Sequence, residues 1–214
     1  MRDGTDTAFR GWERAFFLSG VLLSITGLVW FLLGDVGGYE ISMLRWLESI
    51  RSPLIDAVMI AVTTMGNSTV IVPLVVIFSV LLLLLKRYEL SGKFVIFSTS
   101  MFLLNLFLKL LFARERPDDI TSLVEAPGYG FPSGHSMVST SIYGFIILVL
   151  AGRYRGHSSL LLTAWILFAV LICVSRLWMG VHYPSDVIFG MGLGLCTFPV
   201  IVRLVRDRGK RADR

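Results

Sequence analysis

The sequence predicts an all-α protein: a polytopic membrane helix bundle with about six transmembrane helices and short interfacial helices. Three observations support this fold class. The chain is 55% hydrophobic with a mean hydropathy of +0.74, whereas soluble domains are about 45–50% apolar. Apolar stretches recur along the chain, and most charged residues lie between them. The length of 214 residues suits one domain, so residues 1–214 are assigned to a single unit.

The first apolar stretch, residues 15–33, would extend about 28 Å as a helix, enough to cross the hydrocarbon core. A cleaved signal peptide is the alternative, but the stretch is long for one, and residues 34–37 offer no clear cleavage site. In the last span, the spacing of Gly190 and Gly194 permits close helix packing, more often within a chain than between chains. The five further spans are predicted at residues 69–85, 94–113, 136–152, 158–175 and 187–202.

Shorter helices are predicted between the first two spans. Ser52 and Pro53 indicate the start of a helix that runs to about Met65 and is too short to span alone. The stretch Gly66-Asn67-Ser68 ends it. Before it, apolar residues at helical spacing predict a helix lying in the membrane interface: Ile41, Leu44, Leu47 and Ile50.

The distribution of Lys and Arg predicts the orientation of the bundle. If the N-terminus is cytoplasmic and six spans alternate, 14 of the 20 Lys and Arg residues fall on the cytoplasmic side. This excess obeys the positive-inside rule. We therefore expect both termini, from Arg2 at one end to Arg214 at the other, in the cytoplasm. The six cations left outside are Arg45, Arg51, Lys109, Arg114, Arg116 and Arg176.

A short polar stretch, Phe-Pro-Ser-Gly-His-Ser at residues 131–136, leads into the fourth span. Its Pro and Gly indicate a turn before a helix N-terminus, where free N–H groups and the helix dipole can bind an anion. Ser133 can offer a hydroxyl, Gly134 permits close backbone approach, and His135 titrates near neutral pH. Taken alone, the stretch is explained equally well as a loop turn with one incidental His.

Two further polar stretches at the ends of apolar runs alter that balance. One has the pattern Lys-x6-Arg-Pro from Lys109, and the other has the pattern Ser-Arg-x5-His-x3-Asp from Ser175. Charges there are costly unless they face a site, although a snorkelling interfacial cation is the alternative for each one. Six alternating spans bring all three stretches to the outer face, whereas a seventh span would divide them between the two sides.

Together, the three patterns resemble the signature of the type 2 phosphatidic acid phosphatase (PAP2) superfamily, lipid phosphatases related to vanadium-dependent haloperoxidases. Every signature position is matched. The signature region spans about residues 105–190, and the resemblance covers roughly residues 53–204. Each part alone is a weak signal, but the combination is highly specific. The resemblance implies a membrane lipid phosphatase, and the predicted spans exclude a soluble haloperoxidase.

The resemblance implies a role for each matched residue. His182 is expected to be the nucleophile that forms a phosphohistidine, with Asp186 orienting its ring. His135 is expected to protonate the leaving alkoxide and then to activate water. These roles suit the chemistry, because a carboxylate that accepts a ring N–H fixes the tautomer and activates the other nitrogen. The expected phosphate-binding residues are Lys109, Arg116, Ser133, Gly134 and Arg176.

No metal and no other cofactor is expected. Two His and one carboxylate can form an iron or zinc ligand set, but the neighbouring cations would repel a metal. Cys173 and Cys196 lie in apolar runs without metal-binding spacing, and we expect them to be small buried hydrophobes. His157 falls in a predicted cytoplasmic loop and receives no role. The expected partners are a membrane lipid phosphate and the bilayer, with no nucleic acid and no obligate protein partner.

A site at the outer interface predicts a substrate anchored in the bilayer. Phosphatidylglycerol phosphate, phosphatidic acid and undecaprenyl diphosphate all fit, and the residues do not choose among them. The alternative class is a non-catalytic lipid-binding or lipid-moving membrane protein that retains the fold. The set of His135, His182 and Asp186 argues against that alternative, because a pure binder needs the cations but no nucleophile.

Overall fold

The computed structural model describes residues 3–34 and 38–206, and the regular structure in these two ranges is entirely helical. The predicted all-α class is therefore confirmed. A short 3-10 turn, Arg155–His157, precedes α7. The helices are α1 Asp3–Leu33, α2 Tyr39–Ser49, α3 Pro53–Thr64, α4 Ser68–Leu84, α5 Tyr88–Phe112, α6 Gly134–Arg153, α7 Ser158–Trp178, α8 Pro184–Cys196 and α9 Phe198–Arg206.

The helices long and apolar enough to cross a membrane agree with the predicted spans. Five segments qualify within the described ranges: Gly11–Leu33, Tyr88–Phe112, Gly134–Arg153, Ser158–Trp178 and Pro184–Arg206. The predicted second span corresponds to α4, which qualifies only together with α3, from which it is bent by 42°. This bent pair makes the sixth candidate span, so the chain is a multi-pass membrane protein.

The outer surface of the bundle is apolar, as a lipid-facing surface must be. Large aliphatic side chains are exposed on the outer helices, including Leu18 at 66%, Ile77 at 66% and Ile96 at 69%. In a protein surrounded by water, so much exposed apolar surface would favour aggregation. The exposed fractions therefore agree with the membrane assignment made from hydropathy.

Helix α8 packs against α1 on one side and against α6 on the other, and glycines allow the helices to approach closely on both sides. A Cβ added at Gly190 would lie 2.7 Å from the Ser133 carbonyl oxygen in the turn before α6. One added at Gly194 would lie 2.7 Å from the Thr140 Cβ, also on α6. The predicted packing of these two glycines within the chain is thus confirmed. This packing of α8 on α6 holds the N-terminus of α8, which contains Asp186, against the N-terminus of α6.

The helix predicted to lie in the interface corresponds to α2, and one face of α2 packs against the rest of the protein. Glu40, Leu44 and Leu47 are buried, whereas Ile50 is 44% exposed. The buried face therefore begins at Glu40, one residue before the apolar pattern starts at Ile41, and it includes a carboxylate. The predicted helix after Ser52 is confirmed, since Ser52 occupies the N-cap position and Pro53 is the first helical residue.

Candidate active site

One end of the bundle carries a cavity of 280 Å³ walled by charged and polar side chains. It lies where α5 and α7 end, where α6 begins and where α3 meets α4. The three polar stretches, far apart in the sequence, therefore converge at one place. Ser133 and Asp186 lie fully buried outside the cavity lining. The other predicted site residues line it: Lys109, Arg116, Gly134, His135, Arg176 and His182.

The geometry around His182 defines the protonation state of its ring. The Nδ1–H group donates to Asp186 Oδ2 at 3.2 Å. On the other side, the Arg116 guanidinium donates to Nε2 at 3.2 Å, and a guanidinium has no acceptor. The proton therefore lies on Nδ1, and Nε2 keeps its lone pair. Burial, followed by the charges of Arg176, Arg116 and Lys109, holds the pKa of His182 well below its usual value, so the ring is neutral at physiological pH.

Asp186 is fixed by more than His182. It is fully buried, and its Oδ2 also accepts the backbone N–H of Tyr183 at 3.0 Å. Its Oδ1 forms an ion pair with Arg114 Nη1 at 2.7 Å. The prediction for Asp186 concerned only the histidine four residues earlier. The structure adds a cation that keeps this carboxylate charged and oriented.

Arg114 is a site residue that the sequence analysis passed over. Its guanidinium donates to Asp186, to Ser185 Oγ at 2.6 Å and to Glu40 Oε2 at 2.7 Å, and it lies 3.9 Å from the Tyr183 ring centroid. Glu40 Oε1 in turn accepts the backbone N–H of Ser185 at 2.8 Å. The sequence contained one indication that Glu40 is buried and needs a partner: it lies four residues before Leu44, on the same face of α2.

Lys109 and Arg116 line the cavity and also support a loop beside it. The Lys109 ammonium donates to the carbonyls of Tyr129 and Gly130. The Arg116 guanidinium donates to Gly128 O at 2.9 Å and Val181 O at 2.7 Å. Burial lowers the pKa of Arg116, yet a guanidinium begins so high that it remains charged at neutral pH. Both cations thus present fixed positive charge to the cavity.

Arg176 is the most deeply buried of the three cavity cations, with 4% of its surface exposed. Its Nη1 donates to Thr63 Oγ1 at 2.6 Å, which links α7 to the end of α3. Its Nε has no hydrogen-bond partner among the described residues. A buried guanidinium N–H without a partner is costly, so this donor is suited to an anionic ligand.

The start of α6 contains Ser133, whose hydroxyl caps the helix, and Gly134, which lines the cavity. The Ser133 hydroxyl caps the helix, accepting from the Ser136 N–H at 3.4 Å and the Ser136 hydroxyl at 3.0 Å. The Ser133 N–H donates to the Asp186 carbonyl at 3.1 Å. Ser133 therefore builds the helix start and joins it to α8. Gly134 lines the cavity, and a Cβ there would lie 2.9 Å from Asn105 Oδ1.

His135 lies on the wall formed by the start of α6, and its Nε2 is 2.7 Å from Asn67 Oδ1. Asn67 and Thr63 were not predicted as site residues, because the pattern around them indicated only the end of a helix and a break after it. They reach the cavity because α3 and α4 meet at an angle beside it.

The remaining sequence assignments can be placed around this site. Within residues 3–34 and 38–206, no three His, Cys, Asp or Glu side chains are grouped so that they could hold a metal ion. Cys173 is buried and Cys196 is half-buried, and neither forms a disulfide in the structure. His157 lies in the turn before α7, at the end of that helix remote from Arg176. The cations at position 2 and at positions 208–214 lie outside the described residues.

A multi-pass helical membrane protein whose cation-lined cavity contains two His, one of them paired with a carboxylate, is built for phosphate chemistry. Comparison with known proteins agrees. The family model described as the PAP2 superfamily matches residues 93–210. The chain therefore belongs to the PAP2 superfamily, and it is a membrane phosphatase of that family.

Two individual relatives illustrate the similarity. Phosphatidylglycerophosphatase B of Bacillus subtilis is 34% identical over 153 residues, which cover 70% of this chain and 74% of the relative. The undecaprenyl-diphosphatase of Sulfolobus acidocaldarius is 28% identical over 170 residues, covering 73% and 74%. The fold is similar to the crystal structure of a transmembrane PAP2 type phosphatidylglycerolphosphate phosphatase from Bacillus subtilis. That comparison has a TM-score of 0.80 and 26% identity, with 93% of this chain and 98% of the other covered.

Proposed function

We propose that the protein hydrolyses the terminal phosphate of a bilayer-anchored lipid phosphate or diphosphate, without a metal, through a phosphohistidine on His182. The observation that carries the proposal is the hydrogen bond from His182, which lines a cavity together with His135 and three cations, to the buried Asp186. Because the carboxylate holds the ring proton on Nδ1, Nε2 keeps a lone pair with which to attack phosphorus. This is the arrangement that a nitrogen nucleophile needs.

The proposed reaction has two displacement steps at phosphorus. In the first, His182 Nε2 attacks phosphorus, an N–P bond forms, and the bond to the leaving oxygen breaks as that oxygen takes a proton from His135. In the second, water attacks phosphorus while His135 accepts the water proton. The N–P bond then breaks, its electron pair returns to Nε2, and inorganic phosphate is released. Each step uses one proton transfer by the same His.

The cations stabilise the phosphoryl group during both steps. Lys109, Arg116 and Arg176 face the cavity, and the N-terminus of α6 adds the positive end of a helix dipole. The Arg176 Nε, without a partner among the described residues, is the donor best placed to gain a phosphoryl oxygen. Neutralisation by protein cations replaces the role that a divalent ion has in many phosphatases.

The lipid nature of the substrate is supported by position and by the relatives. Ile60 lines the cavity and is also 39% exposed, and Leu54 and Val58 on the same helix are 77% and 52% exposed. Acyl or prenyl chains can therefore lie along α3 while the phosphate enters the cavity. The relatives are named for phosphatidylglycerophosphate and undecaprenyl diphosphate substrates. Phosphatidic acid is the third candidate, and the excess of cations at the opposite end supports an extracytoplasmic site.

The test is phosphate release from purified full-length protein in lipid nanodiscs, using these three lipids with and without EDTA. We expect release from at least one lipid, unaffected by EDTA, and inhibition by vanadate, which adopts five-coordinate geometry. Rapid quenching with ³²P-labelled substrate should trap label that is acid-labile and alkali-stable, and His182→Ala should trap none. Lipid binding without release would instead support the non-catalytic alternative, and activity that EDTA abolishes and a divalent ion restores would exclude metal independence.

A further inference from the structure

The segment that joins α3 to α4 packs directly against the ring of His135. Asn67 Oδ1 lies 2.7 Å from His135 Nε2. A Cβ added at Gly66 would lie 2.5 Å from His135 Cδ2, so a larger residue at position 66 would displace the ring. The Tyr143 hydroxyl donates to the Met65 carbonyl at 2.8 Å and ties the segment to α6, the helix that carries His135. Residues 65–67 therefore form a support for this ring.

The Asn67 side chain does not do what an Asn usually does at this position. Asn67 is the N-cap residue of α4, where an Asn side chain commonly accepts a backbone N–H from the first turn. Here the side chain makes no capping hydrogen bond. Only the Asn67 backbone carbonyl serves the helix, by accepting the Ile71 N–H at 2.9 Å. The amide is thus directed to His135 at the expense of its own helix.

We infer that Asn67 is a positioning residue that makes Nδ1 of His135 the atom that transfers the proton. The inference rests on the proposed role of His135 as general acid. The Asn67 oxygen can only accept, so the Nε2 of His135 keeps its hydrogen throughout the reaction. The protonated ring then donates Nδ1–H to the leaving oxygen, and the freed Nδ1 lone pair next accepts the proton of the attacking water.

The two histidines of the cavity are thereby held by partners of different charge. His182 is held by the carboxylate of Asp186, which increases the electron density on its free nitrogen and favours attack on phosphorus. His135 is held by a neutral amide, which fixes the ring without adding negative charge to a wall that binds phosphate. The charge of the orienting partner therefore separates the nucleophile from the acid.

The test compares kcat/KM for a monoester, phosphatidic acid, with kcat/KM for undecaprenyl diphosphate. The monoester expels a strongly basic alkoxide, which needs a proton, whereas the diphosphate expels a much weaker base. The variants are His135→Ala, Asn67→Ala and Asn67→Asp, with Ser68→Ala as the control at the neighbouring exposed residue. Folding of each is checked by its thermal midpoint and by monodispersity in detergent.

We expect Asn67→Ala to lower the monoester-to-diphosphate ratio of kcat/KM about tenfold, the effect of one neutral hydrogen bond. His135→Ala should lower the ratio further, within the roughly 10²–10⁴-fold range of general acid catalysis. Asn67→Asp keeps an acceptor for the Nε2 hydrogen, so it should lower the ratio less than Asn67→Ala does, while raising KM for both lipids through repulsion of phosphate. Ser68→Ala should leave the ratio unchanged.

The possible failures are distinguishable. If His135→Ala lowers kcat/KM by the same factor for both substrates, the acid role in the proposed function is wrong, and the inference is wrong with it. If His135→Ala changes the ratio but Asn67→Ala does not, only the inference is overturned. The inference is also overturned if Asn67→Asp lowers the monoester-to-diphosphate ratio as far as Asn67→Ala does. If the alanine variant fails to fold, the inference is overturned when the ratio for Asn67→Asp is as low as the ratio for His135→Ala.

Discussion

Replacing Arg114 by Met tests whether its buried ion pairs hold the site together. Arg114 makes three contacts of 2.6–2.7 Å, to Ser185, Asp186 and Glu40. Both carboxylates are fully buried, so removal of the cation takes away an ion-pair partner from each of two buried carboxylates. Met retains most of the apolar volume, so that the change measures charge rather than packing.

The magnitude follows from this burial. Removal of one partner from a buried ion pair costs about 3–5 kcal/mol, and we expect Arg114→Met to lose stability in that range. The double variant with Glu40→Gln removes one of the two remaining charges. It should therefore be less destabilised than the sum of the single variants, by an interaction free energy of about 0.5–3 kcal/mol. The same substitution at the exposed Arg45 should change stability by no more than about 0.5 kcal/mol.

The assay is unfolding of the purified variants in mixed micelles titrated with SDS, together with kcat for the best substrate. Arg114→Met should also lower kcat, because Asp186 loses the cation that keeps it charged and in place. The reasoning is refuted if Arg114→Met is as mild as Arg45→Met. It is refuted equally if the effects of the Arg114 and Glu40 substitutions simply add.

Three further predictions concern the chemistry and the orientation. His182→Ala should abolish turnover in a folded protein, whereas Asp186→Asn should retain part of the turnover because Asp186 only assists the nucleophile. Substantial turnover by the His182→Ala variant would contradict a phosphohistidine. Arg116→Gln removes a positive charge beside His182, so the pKa of His182 should rise toward its usual value and the acid limb of kcat/KM should move to higher pH. An acid limb that stays in place would show that Arg116 does not control this protonation. A Cys introduced at position 119 should react with an impermeant thiol reagent in intact cells, whereas a Cys at position 209 should not. The reverse labelling pattern would place the site in the cytoplasm.

The fold class and the spans could be predicted from the sequence because hydropathy is a local property. A stretch that must cross hydrocarbon contains about twenty apolar residues wherever its neighbours lie. The predicted spans at residues 136–152 and 158–175 correspond in this way to α6 and α7. Spacing within one motif is equally local, so the sequence already indicated that Asp186 lies beside His182.

Contacts between distant segments could not be predicted in this way. Glu40 meets Arg114, and Asn67 meets His135, only because α2 and the junction of α3 with α4 pack at the same end of the bundle. A polar residue at a helix end looks alike in a sequence whether it caps a helix or supports a catalytic ring. The sequence by itself determined the candidate catalytic residues, and the tertiary structure decided which residues hold them, since long-range packing leaves no periodic signal along the chain.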